Sequence, residues 1–180
     1  MLKSNIRKRI IKLRKKKYKS FKIINFTKIK NIILKYKKKP IIGGYYPVSY
    51  EIDCLKILKK FENEKINISL PVIKKNNEME FFKYSFKNPL SINKYGIPEP
   101  FKKKMIFPNI LFVPLVAFDN NLYRIGYGGG YYDRYIAKLE KKKNFLSIGF
   151  AFSFQKIDKI PLNNFDKKLD VVITENKIYK

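Results

Sequence analysis

A three-layer α/β domain is the architecture predicted for this chain. Stretches with the apolar spacing of helices alternate with short apolar runs of strand length, the pattern of helices packed on a sheet. Prolines and glycines fall at the changes between them. The chain has 180 residues, 45% of them hydrophobic, enough for one domain (1–180) with its own core.

The elements follow in order. The first forty residues read as helical: Ile6, Ile10, Leu13 and Tyr18 recur near the spacing of a helical turn, with lysines between them. A second helix is expected over Phe26–Tyr36, with Ile29, Ile32 and Ile33 apolar and Pro40 beyond its end. Residues 41–46 read as the first strand, ended by Pro47. Residues 51–61 place Ile52, Leu55 and Leu58 on one helical face. Strands are expected at 66–73 and 78–84. Residues 85–107, with Pro89, Pro98 and Pro100 and then Pro108, read as a long loop. A buried strand at 110–114 leads to a glycine-rich turn and a helix over about 130–142. The last core strands are expected at 145–151 and 170–174. The sequence contains no internal repeat and no segment that reads as a disordered tail.

Composition removes several function classes. The chain has no histidine, which excludes Ser-His-Asp and Cys-His catalysis and imidazole acid–base chemistry. One cysteine, Cys54, excludes an internal disulfide and a cysteine-rich metal site. The most apolar stretch, PNILFVPLVA (108–117), is too short and too broken by proline to span a bilayer. The N-terminus lacks the apolar run of a secretory signal, so a cytoplasmic location is expected, without membrane association. Net charge is +27, a footprint that suits nucleic acid. However, the cations are 36 lysines and only 5 arginines, scattered in twos and threes. Arginine is the residue that bidentate phosphate and base contacts prefer. No specific nucleic acid is therefore expected; the lysines read as a solvated surface that attracts anions such as ATP or a polyglutamate tail.

The chemistry concentrates in residues 111–135, LFVPLVAFDNNLYRIGYGGGYYDRY. Arg124 precedes Gly126, Tyr127, Gly128, Gly129 and Gly130. Glycine lets backbone N–H groups approach a phosphate, and a helix N-terminus that follows favours anions. Arg124, read as a loop residue whose removal should cost little folding, can pair with a phosphate. Tyr131 and Tyr132 offer ring faces and hydroxyls, and Asp133 a hard oxygen for the Mg²⁺ that accompanies ATP. The segment is neither a Walker loop nor a dinucleotide fingerprint, and on glycine count alone an empty turn is equally supported.

The longer string VPLVAFD…YRIGYGGGYYDRY resembles the signature of the 5-formyltetrahydrofolate cyclo-ligase family, also called methenyltetrahydrofolate synthetases. Four further segments extend the resemblance along the chain. KSNIR (3–7) is similar to the family's opening, whose lysine and arginine, here Lys3 and Arg7, reach the nucleotide phosphates. YYPVSYEID (45–53) resembles its substrate segment, which implies Tyr46 and Glu51 at the folate. YGIPEP (95–100) matches its YGIxEP string and implies Tyr95 near the folate. PLNNFDKKLDVVIT (161–174) resembles the C-terminal segment that holds a magnesium ligand, best matched by Asp166, with Asp170 nearby. Tyr127 and Gly129 stand where some relatives carry basic residues, and Cys54 where a threonine is usual.

The resemblance implies a Rossmann-like three-layer α/β/α domain with a mixed sheet (NagB/RpiA/CoA transferase-like); a monomer is expected. It implies ATP and Mg²⁺ as cofactors and 5-formyltetrahydrofolate, with or without a polyglutamate tail, as substrate. The formyl oxygen would be phosphorylated, N10 would attack the activated carbon, and phosphate would leave, with Lys3 and Arg124 as the catalytic cations. Lys3, Arg7, Arg124, residues 126–130, Tyr131 and Tyr132 would bind ATP. Tyr46, Glu51, Tyr95 and Tyr132 would line the folate, and Asp133 and Asp166 would hold the metal. Each residue also has a structural reading. Lys3 and Arg7 can be solvated helix charges, Glu51 the cap of the helix after it, Asp133 a surface partner of Arg134, Asp166 one loop carboxylate among several, and the tyrosines core aromatics. A basic nucleic-acid-binding protein and a non-catalytic folate or nucleotide binder are the alternative functions.

Overall fold

The computed structural model describes residues 2–17, 24–141 and 144–180. Along the chain come α1 (Lys3–Lys17), α2 (Phe26–Tyr36), β1 (Ile41–Gly43), α3 (Cys54–Asn63), β2 (Asn67–Ile73) and β3 (Met79–Tyr84). There follow β4 (Leu90–Ile92), β5 (Pro98–Pro100), β6 (Ile110–Val113), β7 (Ala117–Phe118), β8 (Arg124–Ile125) and α4 (Tyr131–Glu140), then β9 (Leu146–Phe150), β10 (Val171–Ile173) and β11 (Ile178–Tyr179). Tyr18 and Lys142, expected in the first and last helices, lie outside the described residues.

Seven strands form a mixed sheet in the order β11-β10-β9-β6-β1-β2-β3. The five inner strands are parallel, and β3 and β11 run antiparallel at the edges. Inner strands read as unbroken apolar runs because both faces are covered. Along β6, for example, Ile110 and Phe112 join one core cluster while Leu111 and Val113 join another, the two-residue period of a strand. On the first face Ile29 and Ile33 of α2 and Leu58 and Phe61 of α3 pack on the sheet. On the second, Tyr135, Ile136 and Leu139 of α4 do so. Each fully buried side chain of this size contributes about 1.5–3 kcal/mol. A third, smaller cluster joins Ile6 and Ile10 of α1 to Val116, Ala117 and Ile125 of the β7–β8 hairpin.

Topology locates the site. From β1 the chain crosses through α3 to β2 on one side; from β6 it crosses through α4 to β9 on the other. Crossovers of one hand in opposite directions put α3 and α4 on opposite faces, and leave a crevice beyond the carboxyl ends of β1 and β6.

The structure corrects four expectations. β1 ends at Gly43, and residues 44–53 turn away before α3 begins at Cys54. The stretch 85–107 is not one loop: β4 and β5 pair as an antiparallel hairpin with Leu90 opposite Pro100. Arg124 is not a loop residue but belongs to β8, paired with Phe118 of β7. β11 was not foreseen, since two residues are too few to display a period.

Candidate active site

The β7–β8 hairpin presents the glycine segment to the crevice. Asp119 is buried at its tip and satisfies three backbone N–H groups, those of Asn121, Tyr123 and Ile160. Beyond Ile125, Gly128 has φ +104° and Gly130 has φ +67°, conformations that side chains with a Cβ resist. Gly130 caps α4 and has no side chain to offer its first N–H groups. These donors therefore face outward with the positive end of the helix dipole, an arrangement suited to phosphate.

The predicted cations and carboxylates come together around this loop. Arg7 donates from Nε to the Gly126 carbonyl at 2.8 Å, and Lys3 pairs with Asp166. Arg124, only 5% exposed, donates from Nη1 to the Lys167 carbonyl at 2.9 Å and lies 3.1 Å from Asp133 Oδ1. Burial lowers the Arg124 pKa, and the Asp133 carboxylate opposes that shift. Asp170, by contrast, accepts the Ser147 N–H and hydroxyl, each at 2.7 Å, and braces β9 against the approach to β10. Asp133 meets Arg124 rather than Arg134, whose guanidinium donates to the carbonyls of Gly129 and Asn77.

Glu51 lies behind a tight turn in which Ser49 (φ +48°) and Tyr50 (φ +63°) both adopt left-handed backbone. Such strain concentrates at functional turns. The cap of α3 is Asp53, which accepts from the N–H groups of Leu55 and Lys56. Glu51 therefore does not cap that helix. It is 6% exposed; its Oε2 accepts the Val48 N–H at 2.9 Å, and Oε1 is buried with no hydrogen bond. Burial pushes its carboxyl up to about 7, against the Val48 hydrogen bond, the Arg14 charge and the nearby Tyr127 hydroxyl.

Comparison with known proteins decides what this arrangement belongs to. A family model described as the 5-formyltetrahydrofolate cyclo-ligase family matches residues 2–175. The chain belongs to the 5-formyltetrahydrofolate cyclo-ligase family. A 5-formyltetrahydrofolate cyclo-ligase of Haemophilus influenzae is 29% identical over 149 residues, which are 78% of this chain and 79% of that one. The NMR structure of the Aquifex aeolicus 5,10-methenyltetrahydrofolate synthetase superposes with a TM-score of 0.77 at 28% identity, covering 100% of this chain and 93% of that one. The 5,10-methenyltetrahydrofolate synthetase of Mycoplasma pneumoniae, at 23% identity and a TM-score of 0.70, shares the fold over 97% of this chain and 99% of that one.

Within this cyclo-ligase frame the tyrosines divide. Tyr127 is exposed, and its hydroxyl meets Arg14 Nη2 at 2.5 Å and the Val48 carbonyl at 3.4 Å, so the glycine loop touches the Glu51 turn. Tyr132 packs between the two main core clusters, with its hydroxyl buried and unpartnered. Tyr95 and Tyr131 share a hydrogen bond of 3.0 Å, away from Glu51, bringing the β4–β5 turn to the start of α4. Tyr46 is half-buried after β1, close enough to Tyr84 to act on its hydroxyl. Nothing brings Tyr46 or Tyr95 into contact with Glu51.

Among the described residues no group of three or more His, Cys, Asp or Glu side chains could cage a metal. Asp133 and Asp166 offer carboxylate oxygens, the donor type that magnesium takes. The recorded contacts of Asp133 fall on Oδ1 and those of the Asp166 side chain on Oδ2, so each has a second oxygen to offer.

One participant was missed in the sequence reading: Arg14, 1% exposed, on the same face of α1 as Ile6 and Ile10. Its spacing from Ile10 fits an apolar stripe, so its charge concealed it. Arginine scarcity was the available signal. Of the 5 arginines in the chain, Arg7, Arg14 and Arg134 contact residues 126–129, and Arg124 lies just before them. In a lysine-rich chain, arginine persists where a planar fork is needed.

Proposed function

We propose that the crevice beyond β1 and β6 binds ATP at the glycine loop and 5-formyltetrahydrofolate at Glu51, so that phosphoryl transfer and ring closure take place between them. The reaction of this family, ATP-dependent cyclisation of 5-formyltetrahydrofolate to 5,10-methenyltetrahydrofolate, is the activity of this chain, a ligase. One observation carries the assignment of the site. The Tyr127 hydroxyl of the glycine loop reaches the Val48 carbonyl, and the Val48 N–H in turn reaches Glu51.

In this reading Lys3, Arg7 and the N–H groups of residues 126–131 hold the triphosphate. Arg124 places its charge beneath the transferring phosphoryl group. Phosphoryl transfer needs positioning and neutralised charge more than covalent help, which suits a chain without histidine. Asp133 and Asp166 would hold Mg²⁺, which neutralises the phosphate oxygens. Oε1 of Glu51, which has no hydrogen bond within the protein and Arg14 at 4.0 Å, accepts N–H groups of the pterin edge. Tyr46, Tyr95 and Tyr132 would line parts of the folate other than the edge held by Glu51. The phosphorylated formyl carbon is attacked by N10 of the same molecule and phosphate leaves; orientation supplies much of that rate.

The lysine-rich surface suits a polyglutamate tail. A monomer is supported by the sheet edges: backbone bonds from residues 104–106 cover β3, and β11 offers only two residues. A cytoplasmic location is part of the same proposal: a single cysteine gives the chain no disulfide framework of the kind secreted proteins use. No helix among the described residues is long and apolar enough to cross a membrane.

The test follows absorbance at the methenyl-folate band with protein, Mg²⁺-ATP and 5-formyltetrahydrofolate. A rise that requires both ATP and Mg²⁺ is expected. A folded protein that binds ATP and yields no rise would overturn the reading. Glu51→Gln should weaken folate binding more than ATP binding, and the reverse order would remove Glu51 from the folate site.

A further inference from the structure

We infer that Arg14 is a positioning residue that couples the nucleotide loop to the folate turn, so that each substrate tightens the binding of the other. The inference rests on the assignment of residues 126–130 to ATP and of Glu51 to folate. Arg14 is among the largest fully buried side chains, yet it is a cation. Its Nη1 donates to the Leu115 carbonyl at 3.4 Å and lies 4.0 Å from Glu51 Oε1. Its Nη2 donates to the Tyr127 hydroxyl at 2.5 Å, and its Cζ stands 5.8 Å from the centre of the Tyr127 ring. Nε has no partner.

A buried charge is a poor choice for stability alone, because apolar side chains of the same volume fill such sites at least as well. What Arg14 adds is reach: one planar fork meets the loop that follows β8 and the turn that follows β1. That turn holds left-handed backbone at Ser49 and Tyr50, a conformation that needs support from its surroundings. Phosphate in the glycine loop orders Tyr127, and Tyr127 with Arg14 then holds Val48 and Glu51 in place for the pterin.

Coupling of this kind is reciprocal: ATP must change folate affinity by the factor with which folate changes ATP affinity. The experiment measures, by calorimetry, binding of a non-hydrolysable ATP analogue and of 5-formyltetrahydrofolate, each alone and with the other saturating. The wild type should show equal factors of about 10 in both directions. Tyr127→Phe keeps the ring and loses the hydroxyl, and should bring both factors below about 2. Arg14→Met should do the same, and Arg14→Lys should restore only part. Wild-type factors of one, with both ligands binding, would overturn the inference and leave the functional reading intact. Factors unchanged in Tyr127→Phe would also overturn it, even if Arg14→Met does not fold. Failure of either ligand to bind the folded wild type would instead defeat the functional reading beneath it.

A pH profile separates positioning from simple packing. Glu51 faces Arg14 from α1, Tyr127 from the glycine loop, Tyr45 after β1, Cys54 of α3 and Tyr132 of α4. Burial raises the hydroxyls and the thiol, which leaves the guanidinium as the charge that faces Glu51. Without Arg14 the midpoint for folate binding should move to higher pH, and an unmoved midpoint counts against the inference.

Discussion

Arg124 and Glu51 are charged groups that the fold removes from water, and each makes a prediction. Arg124 is held by the Lys167 carbonyl and Asp133, so its removal strips a part-buried pair of its buried member. Arg124→Ala should lower both turnover and stability, the latter by about 2 kcal/mol in urea unfolding, because the Lys167 carbonyl loses its donor and Asp133 its cation. The expectation of little folding cost treated Arg124 as a loop residue, and its place on β8 overturns that. An unchanged urea midpoint would show that the pair contributes nothing. For Glu51, a folded pKa of about 7 lies above the ordinary glutamate value. The native state thus binds more protons than the unfolded chain between about pH 4.5 and 7, and the carboxyl's stabilising contribution is lost as pH rises through that window. Glu51→Gln, which imitates the protonated form, should gain stability over the wild type across that window. The difference should level off above about pH 7 near 3 kcal/mol. A difference independent of pH would contradict the raised pKa.

At the scale of elements, Asp53 and Gly44 test how the site is framed. Asp53→Ala should cost about 1 kcal/mol by removing the cap of α3 while the folate and ATP requirements stay unchanged. Altered folate affinity would mean that the cap also positions Glu51. Gly44 follows β1 where α3 presses on the sheet, and a Cβ there would lie 2.4 Å from Leu58 Cδ1 and 3.1 Å from Cys54 Sγ. Gly44→Ala should therefore cost about 1–3 kcal/mol in thermal or urea unfolding, as overpacking does. Retained stability would show that Leu58 can move. The elements most legible in the sequence were those with enough residues to repeat a pattern. α2 matches its expected bounds, and β2 and β3 fall within one residue of theirs. The β4–β5 hairpin was hidden by its prolines. Pro98 and Pro100 sit in a two-stranded hairpin whose outer edge needs no N–H, so residues that usually break strands are tolerated there.

At the scale of the molecule, the +27 charge acts on encounter rather than on architecture. Both substrates are anions, and exposed charges are screened beyond about 8 Å at physiological salt. Raising salt from about 0.05 to 0.5 M should raise KM for ATP several-fold with little change in kcat. A KM indifferent to salt would confine recognition to the buried cations. The same salt series with RNA as competitor tests whether the lysine surface favours polyanions in general.

The sequence by itself determined the α/β alternation, the glycine segment before α4 and the family to which both belong. These depend on local spacing and on contiguous motifs, which survive without knowledge of what packs on them. Only the tertiary structure decided that Arg124 is buried against Asp133, that Asp53 rather than Glu51 caps α3, that Asp166 rather than Asp170 meets Lys3, and that Arg14 joins Tyr127 to Glu51. Apart from the cap, each of these pairs residues brought near one another by the parallel crossovers and by α1 packing on the β7–β8 hairpin. The charge of a buried arginine, unlike the period of an apolar face, leaves no local trace of the partner that makes its burial tolerable.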